Sequence, residues 1–572
     1  MGTPSTNNKL VIYQLLPRLF GNTNTNNKYY GTIDENGTGK FNDITDMALQ
    51  ELSKLGITHI WFTGVIEHAT MTDHSWFGIK PDDPDVVKGI AGSPYAIKDY
   101  YDVDPDLAVN VNDRMAEYEA LIKRTHANGL KVIMDFVPNH VARTYNSDVK
   151  PSGVRDIGAD DDNTKAFAAD NDFYYLPGQS FTVPAGYNAG GDNFKSPLKD
   201  GRFEENPAKV TGNNLFSAAP GINDWFETVK LNYGIDVQNG NAIHYNPPPP
   251  LWHKLFDILN YWCAKGVDGF RCDMVEQIPF EFWGWVIGQL KAQYPGLVFI
   301  GEAYNTTDYD SYIFDGKFDY LYDKAGILDA VRKLTTNQTG ATVWDINNVW
   351  NNQTNGIDDY MLRFMENHDE QRVTSGSFAG DAWYAVPGMI VCATLSNGPV
   401  MIYFGQEVGE PGEGLEGFGD NDGRTSIFDY WGVPEHQKWV NGGLYDGGQL
   451  SDSQSRLRGF YSKLFNAARN NEALYAGKFY ELLLANQANF NDCMYMYMRY
   501  TDNQRVLVIA SFDRNDQAIH VNIPQELLLW MNVSGPVTFT DLLTGNRFDT
   551  GNIETMGLTF ILPQMSGVLL AF

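Results

Sequence analysis

The sequence predicts an α/β fold: a (β/α)8 barrel with a loop-rich inserted domain after its third strand and a C-terminal antiparallel β-sandwich. Three observations predict it. Eight short apolar runs alternate with helix-like segments over about 400 residues. One interval breaks this alternation, and the last part of the chain is rich in short β-type runs with turns between them. Buried parallel strands are continuous apolar runs, and helices between them indicate βα units.

The eight apolar runs are the predicted barrel strands. They lie at residues 10–16, 57–62, 130–137, 267–272, 298–301, 318–321, 361–365 and 400–404. Amphipathic stretches at 44–55 and 112–128 precede the second and third runs, as βα units require. Periodicity does not distinguish a closed barrel from a doubly wound open sheet, which is the alternative arrangement.

Three domains follow from this pattern. Residues 1–140 and 232–470 form the predicted barrel. Residues 141–231 contain no clear βα unit and are rich in Asp, Asn, Gly and Pro, which indicates an inserted domain. Residues 471–572 contain the β-type runs, such as 494–500, 506–512 and 558–562, and form the predicted sandwich.

Composition excludes several classes of function. The chain has 572 residues, too long for one hydrophobic core, because cores stop growing near roughly 250–300 residues. A formal net charge of −29 repels nucleic acid and anionic membranes, so we expect neither as a partner. No apolar stretch reaches the roughly 20 residues of a membrane span. No signal peptide is visible, and the compartment, cytoplasmic or secreted, stays open.

Polar residues follow four of the predicted strands. Barrel enzymes place their chemistry at the carboxyl ends of the strands, so these residues share one rim. One carboxylate after a strand is often only a helix N-cap, but four coordinated strand ends are hard to explain as caps. In the fourth strand, Arg271 and Asp273 point to the same side, and the cation favours an ionised Asp273. The four segments are 135–140, 269–273, 301–303 and 366–369.

Cleavage of a glycosidic bond needs two carboxyl groups that flank the bond. Asp273, beside Arg271, suits the carboxylate that attacks as an anion. Glu302 lies between Gly301 and Ala303, an apolar surround that suits the group that must carry a proton. Asp369 is then a third carboxylate that orients sugar hydroxyls. His140 and His368 can donate hydrogen bonds to those hydroxyls.

At these residues the sequence resembles the α-amylase family of glycoside hydrolases. Four motifs resemble conserved blocks of that family and occur in the same order along the chain. They are DFVPNH at 135–140, GFRCD at 269–273, IGEA at 300–303 and ENHD at 366–369. Two shorter segments, at 230–232 and 398–407, also resemble the family.

The resemblance implies a role for each matching residue. Asp273 is implied as the nucleophile, Glu302 as the general acid/base and Asp369 as the stabiliser of the transition state. Arg271, His140 and His368 resemble the residues that position the sugar ring. Tyr95 resembles an aromatic residue that stacks on that ring, and its alternative role is that of an ordinary buried aromatic.

The sequence departs from the family pattern at two places. Asn139 resembles a calcium ligand, but Gln277 stands where many relatives have a partner His. A structural calcium ion with acidic loop residues as further ligands is one expectation, and a solvated acidic loop is the other. Arg424 with Asp99 resembles a pair that closes the non-reducing end in exo-acting oligoglucosidases, and its alternative is a surface arginine. The chemistry itself requires no cofactor.

The leading interpretation is a retaining glycoside hydrolase that cleaves α-1,4-glucosidic bonds of starch or maltodextrins. An α-1,6-oligoglucosidase or a 4-α-glucanotransferase would use the same carboxylates, and loops would make the difference. A carbohydrate- or partner-binding barrel without catalysis is a third alternative. The sequence contains neither a P-loop nor a Rossmann motif, so nucleotide chemistry has no support. The sequence leaves bond preference, endo or exo action and oligomeric state open.

Overall fold

Eight parallel strands form a closed barrel in the computed structural model, which describes residues 8–572. Their order in the sheet is β7-β6-β5-β4-β3-β2-β1-β8. A parallel bridge between Arg363 and Val400 joins the two outer strands and closes the ring. The barrel prediction is therefore confirmed, and the open sheet is excluded. The strands are β1 Val11–Leu15, β2 His59–Phe62, β3 Lys131–Phe136, β4 Gly269–Cys272, β5 Val298–Gly301, β6 Tyr320–Tyr322, β7 Met361–Leu362 and β8 Val400–Tyr403.

Helices surround the barrel. The first longer one, Asp46–Leu55, begins where the Thr45 hydroxyl accepts the Ala48 amide, and it ends at Gly56 in the left-handed conformation. Among the described residues, no helix combines the length and apolar character needed to cross a membrane. The other longer helices are Arg114–Ala127, Pro250–Ala264, Phe280–Gln293, Asp329–Thr335, Val343–Asn348, Val386–Thr394, Pro434–Val440 and Asp452–Asn470.

The inside of the barrel is packed with large side chains. Alternation along the strands sends Ile12, Trp61 and Tyr322 inward, whereas Val11 and Tyr13 face the helices. Trp61 is fully buried, so its replacement by Ala would cost about 3–5 kcal/mol of folding free energy. This filled interior supports the polar residues that follow the strands, and it leaves the rim as the place for chemistry.

The insertion after β3 begins and ends on one antiparallel strand pair, His140–Ala142 with Thr228–Lys230. Between them lies a small apolar core that includes Tyr174, Phe181 and Phe226. A second excursion, between β2 and β3, contains the hairpin Ile66–His68 with Ile97–Val103, which the sequence analysis did not predict. Both excursions leave the carboxyl ends of their strands and build on the same face of the barrel. The insertion contains one further short strand pair, Tyr175–Leu176 with Ala208–Lys209, and a second pair, Ile235–Asp236 with Ala242–Ile243, lies just after it.

The C-terminal region is antiparallel, as the sequence predicts. Six strands form one sheet in the order β9-β10-β11-β16-β13-β14, and β12 pairs with β15. Three of these strands were not predicted. The exposed strand Arg547–Asn552, for example, has almost no apolar alternation. The strands are β9 Lys478–Glu481, β10 Met494–Tyr500, β11 Arg505–Ser511, β12 Gln517–Val521, β13 Pro536–Asp541, β14 Arg547–Asn552, β15 Leu558–Leu562 and β16 Ser566–Ala571.

Candidate active site

A cavity of about 310 Å³ opens at the carboxyl ends of the barrel strands. It is lined by side chains that follow β3, β4, β5 and β7 and by residues of both excursions. The structure therefore brings together six of the residues that the sequence singled out. These are Tyr95, His140, Asp273, Glu302, His368 and Asp369.

Arg271 lies under the floor of the cavity and contacts three carboxylates. Its Nη1 lies 3.0 Å from Asp273 Oδ1 and 3.3 Å from Asp135 Oδ1. Its Nη2 lies 2.8 Å from Glu302 Oε2. Nε donates to the Tyr322 hydroxyl at 3.1 Å, so the guanidinium is held in one orientation. One cation thus fixes the nucleophile candidate and the acid candidate relative to each other.

Asp273 is buried, and the sharing of Arg271 affects its protonation. Burial, together with the neighbouring Glu302 carboxylate, raises the pKa of Asp273 well above its ordinary value, and Arg271 opposes this only in part. Arg271 also faces Asp135 and Glu302, and its effect in keeping Asp273 ionised is opposed by burial and by the Glu302 charge. Before a substrate enters, the folded protein therefore favours the protonated form of Asp273.

Glu302 does not have the apolar surround that its flanking residues suggested. The hydroxyl of Tyr304 donates to its Oε1 at 2.6 Å, and the backbone amide of Met274 donates to its Oε2 at 2.9 Å. Met274 directly follows the nucleophile candidate and has a φ of +46°, a left-handed conformation that is strained for a side chain of this size. This turn aims the amide at Glu302. The sequence analysis missed Tyr304, although it lies two residues after Glu302.

His368 links Asp369 to Tyr95. Its Nε2 lies 3.0 Å from Asp369 Oδ2 and 2.6 Å from the Tyr95 hydroxyl, and the Tyr95 ring stacks on the imidazole at 5.2 Å. Because a carboxylate only accepts, the ring proton lies on Nε2. Desolvation in the cavity works against ionisation of Asp369, but His368, Arg271 and Arg424 together lower its pKa to about 2. Asp369 is therefore an anion throughout the neutral range.

His140 is fixed by Asn139 and Lys230. The buried Lys230 ammonium donates to the Asn139 side-chain carbonyl, so the Asn139 amide must donate, and it lies 3.0 Å from His140 Nδ1. The proton of His140 is therefore on Nε2. Burial, with the nearby Lys230 charge, lowers the pKa of His140 to about 3, which keeps the ring neutral.

The same contacts bear on calcium. Lys230 Nζ also donates to the Gln277 carbonyl at 3.2 Å, so one side chain contacts both Asn139 and the residue that stands where many relatives have a partner His. The described residues include no cluster of three or more His, Cys, Asp or Glu side chains arranged to hold a metal ion. The Asn139 side-chain oxygen that a calcium ion would need is already bonded to Lys230.

The expected pair of Asp99 and Arg424 does not form. Asp99 is fully buried and accepts hydrogen bonds from the Ser147 hydroxyl and the Asp148 amide, at 2.6 and 2.7 Å. It anchors the start of the insertion and does not line the cavity. Arg424 is exposed, and its Nε donates to Asp422 at 2.7 Å. Arg424 thus lowers the pKa of Asp369 by its positive charge, but it does not pair with Asp99.

Besides Met274 and Tyr304, seven residues that were not predicted line the cavity: Lys88, Ser93, Trp225, Glu227, Thr228, Ile427 and Phe428. They lie in the two excursions and in the loop after β8. These segments have no strand or helix periodicity, so nothing local in the sequence indicates which side chains face the site. The Trp225 ring lies 5.2 Å from the His140 ring, which connects the insertion to the barrel rim.

Comparison with known proteins finds relatives that are enzymes acting on α-glucans. A family model described as the catalytic domain of alpha amylase matches residues 14–430. Neopullulanase 2 of Thermoactinomyces vulgaris is 20% identical over 569 residues, which cover 95% of this chain and 75% of that protein. A cyclomaltodextrin glucanotransferase of Geobacillus stearothermophilus is 23% identical, over 88% of this chain and 59% of its own length.

A solved structure agrees in fold. The maltogenic α-amylase AmyB of Thermotoga neapolitana superposes with a TM-score of 0.61 at 16% identity, and the match covers 98% of both chains. At this identity the likeness concerns the fold alone. It extends over the barrel, the insertion and the C-terminal sheets, so these three parts occur together in another protein.

Proposed function

This chain belongs to the alpha-amylase family of glycoside hydrolases and transferases, and we propose that it hydrolyses α-1,4-glucosidic bonds of starch or maltodextrins with retention of configuration. The observation that carries the proposal is the contact of one guanidinium, Arg271, with both Asp273 and Glu302 in a cavity that Asp369 also lines. Two carboxyl groups held beside each other suit a retaining mechanism.

In the first step, Glu302 gives its proton to the glycosidic oxygen while a carboxylate oxygen of Asp273 attacks the anomeric carbon. The bond to the leaving sugar breaks, and an ester between Asp273 and the retained sugar forms. Arg271 stays within hydrogen-bond distance of Asp273 Oδ1 and Glu302 Oε2, which leaves the other oxygen of Asp273 for attack. The Tyr304 hydroxyl, 2.6 Å from Glu302 Oε1, keeps the acid in position.

In the second step, Glu302 accepts a proton from a water molecule, and the water oxygen attacks the anomeric carbon. The ester breaks, Asp273 leaves as a carboxylate, and the sugar is released with its original configuration. Asp369, with His368 and His140 beside it in the cavity lining, is placed to contact hydroxyls of the reacting ring. Asp369, an anion at neutral pH, also stabilises positive charge that develops on that ring.

Two substitutions test this proposal. We expect Asp273→Asn and Glu302→Gln to lower kcat on maltoheptaose at least about 1,000-fold, because each removes a group that takes part in bond cleavage. Far-UV circular dichroism should remain that of the parent protein. Near-parent activity in either variant would end the assignment. If the parent protein turns over none of the α-glucans tested, a barrel that binds without catalysis would be favoured instead.

Transfer to an acceptor sugar is the second candidate. It is favoured by the cyclomaltodextrin glucanotransferase that aligns over 88% of the chain, and it would use the same ester at Asp273. Sugar would replace water in the second step. Products from maltoheptaose, isomaltose and pullulan distinguish the cases, because transfer yields oligosaccharides longer than the substrate, and α-1,6 cleavage consumes isomaltose.

A further inference from the structure

Lys88 and Glu227 form a buried ion pair in the wall of the catalytic cavity. Lys88 Nζ lies 3.0 Å from Glu227 Oε2, and the two side chains are only 8% and 7% exposed. Neither residue has a part in the bond cleavage proposed above. A buried pair of charges costs desolvation free energy, so its position at the cavity wall calls for a physical role.

The pair belongs to the excursions that follow β2 and β3, whereas the proposed acid follows β5. Lys88 belongs to the excursion that follows β2, and Glu227 lies directly before the strand that returns the chain from the insertion. Glu302 follows β5, and in the closed ring β5 is separated from β2 by two strands on one side and four on the other. The leaving part of the substrate lies beside Glu302, because the general acid protonates the leaving oxygen. A retained sugar that extends away from Glu302 toward β2 and β3 meets the wall with Lys88 and Glu227.

Several chain segments close the wall behind this pair. Lys88 Nζ donates to the Asp224 carbonyl at 3.0 Å, and it lies over the rings of Phe226 and Phe418, at 5.1 and 5.7 Å. Phe226 comes from the insertion and Phe418 from the loop after β8. In the same loop, the Phe428 carbonyl accepts the Ala91 amide at 3.1 Å. The insertion, the β2 excursion and the β8 loop are thus joined to one another here.

The polar atoms of the pair are not fully used. Within residues 8–572, no donor is aligned as a hydrogen bond with the buried Glu227 Oε2. The Lys88 ammonium has three donors, of which one goes to the Asp224 carbonyl. A donor and an acceptor side by side in a cavity wall match the free hydroxyl groups of a terminal sugar ring.

We propose that Lys88 and Glu227 end the substrate cavity on the glycone side and bind the hydroxyls of a non-reducing terminal glucose. The enzyme then acts from chain ends on short maltodextrins and does not cut within long chains. This inference rests on the proposed function. A chain that continued past the wall would have an ether oxygen in place of the free 4-hydroxyl. It would also have to separate the buried pair and displace Phe428.

The test uses two substrates that differ only at the non-reducing end. One is p-nitrophenyl α-maltoheptaoside, and the other carries a 4,6-ethylidene group on its terminal ring. Chromatography of the labelled fragments reports every cleavage. We expect the parent enzyme to cleave the blocked substrate at least about 100-fold more slowly than the free one. The early labelled products of the free substrate should all be shorter by the same small number of glucose units, removed from the non-reducing end.

Similar rates on both substrates would overturn the inference and leave the proposed function intact. No cleavage of the free substrate would contradict the proposed function itself. The two failures are therefore distinguishable with the parent protein alone.

A double variant tests the residues. Lys88→Ala with Glu227→Ala removes both charges at once, so no unpaired charge stays buried. We expect the ratio of free to blocked cleavage to fall at least about tenfold, with a raised KM for the free substrate. Lys195→Met, an exposed lysine of the insertion, is the matched control and should keep the parent ratio. An unchanged ratio in a folded double variant would contradict the assignment. If the double variant does not fold, the two substrates with the parent enzyme decide.

Discussion

Asp273 illustrates how catalysis and stability oppose each other at one residue. Because burial raises its pKa in the folded protein, the folded state favours the protonated carboxyl. The stabilising contribution is therefore present at low pH and is lost as the pH rises through the folded-state pKa. At alkaline pH the protein carries the cost of a buried charge that only a shared Arg271 offsets. The ionised Asp273 that attacks the sugar thus lowers the free energy of unfolding.

We expect Asp273→Asn to raise the melting temperature at pH 8 by roughly 1–2 °C, since it removes this buried charge. At pH 5 the gain should be smaller, because the parent carboxyl is then more fully protonated. Scanning calorimetry of both proteins at the two pH values measures the difference.

Asp369→Asn is the matched control in the same cavity. The pKa of Asp369 is lowered to about 2, so this group stabilises the folded state above the ordinary Asp value, and the effect is lost only as the pH falls toward 2. Its replacement should not raise the melting temperature at pH 8. A gain equal to that of Asp273→Asn would contradict the sign of one of the two shifts.

The residues of the site divide by what made them predictable. The positions of Asp273, Glu302 and Asp369 could be predicted because the first two directly follow β4 and β5, the third lies in the segment after β7, and all strands of a barrel end at one rim. Their partners could not. The hydrogen bond from Tyr304 to Glu302 depends on a side-chain rotamer, and the link from Lys230 to Asn139 joins residues 91 positions apart. Strand patterns contain no information on either.

At the scale of elements, Lys230 joins the last strand of the insertion to the loop after β4. Its ammonium contacts the Asn139 side chain and the Gln277 carbonyl. Through Asn139 it also determines which nitrogen of His140 carries the proton. The Lys230 side chain thus bridges the insertion and the barrel at this junction, where burial lowers its pKa to about 7.

Two linked outcomes follow for this junction. Treatment of the parent enzyme with EDTA should leave both its melting temperature and its activity unchanged. Lys230→Met should lower kcat/KM at least about tenfold, because the Asn139 amide is then free to rotate and His140 loses its fixed tautomer. Each carbonyl that loses its donor should also cost about 1–3 kcal/mol of folding free energy.

Thermal melts and kinetics on maltoheptaose measure these effects, with Lys195→Met as the surface control. A melting temperature that falls in EDTA and recovers with Ca²⁺ would show that a metal stabilises the protein. Such a result would remove the basis for the role given to Lys230.

The strands could be predicted to within a few residues where burial is complete, as in Val298–Gly301 and Met494–Tyr500, whose bounds agree with the prediction. The hairpin Ile66–His68 with Ile97–Val103 was missed. Its second strand, IKDYYDV, includes charged residues that are buried by long-range partners, such as Arg114 against Asp102. Composition alone indicates an exposed loop there.

At the scale of the whole molecule, one helix connects the barrel to the C-terminal sheet. Every residue of Val386–Thr394 is buried, which is unusual for a barrel helix, because the outer face normally meets water. Here that face packs against the C-terminal domain. Arg499 of β10 reinforces the contact, since its buried guanidinium donates to the carbonyls of Leu395 and of Gly477, the latter at 2.9 Å.

Arg499→Met should lower the melting temperature of the enzyme by roughly 3 °C, because several buried carbonyls lose a charged donor, at a cost of about 3 kcal/mol. The kcat/KM of the folded variant should equal that of the parent, since Arg499 is far from the cavity in sequence and lines no part of it. Calorimetry and initial rates provide the test. An unchanged melting temperature would mean that the two domains contribute to stability independently.

The strand pair that opens and closes the insertion has a consequence for evolution. Because His140–Ala142 and Thr228–Lys230 are hydrogen-bonded neighbours, the chain departs from the barrel and rejoins it at one point. Everything between the two strands can lengthen, shorten or be exchanged as a cassette while both ends stay in register. Natural selection can thus remodel how far a glucan reaches past the site without rebuilding the machinery that cuts it.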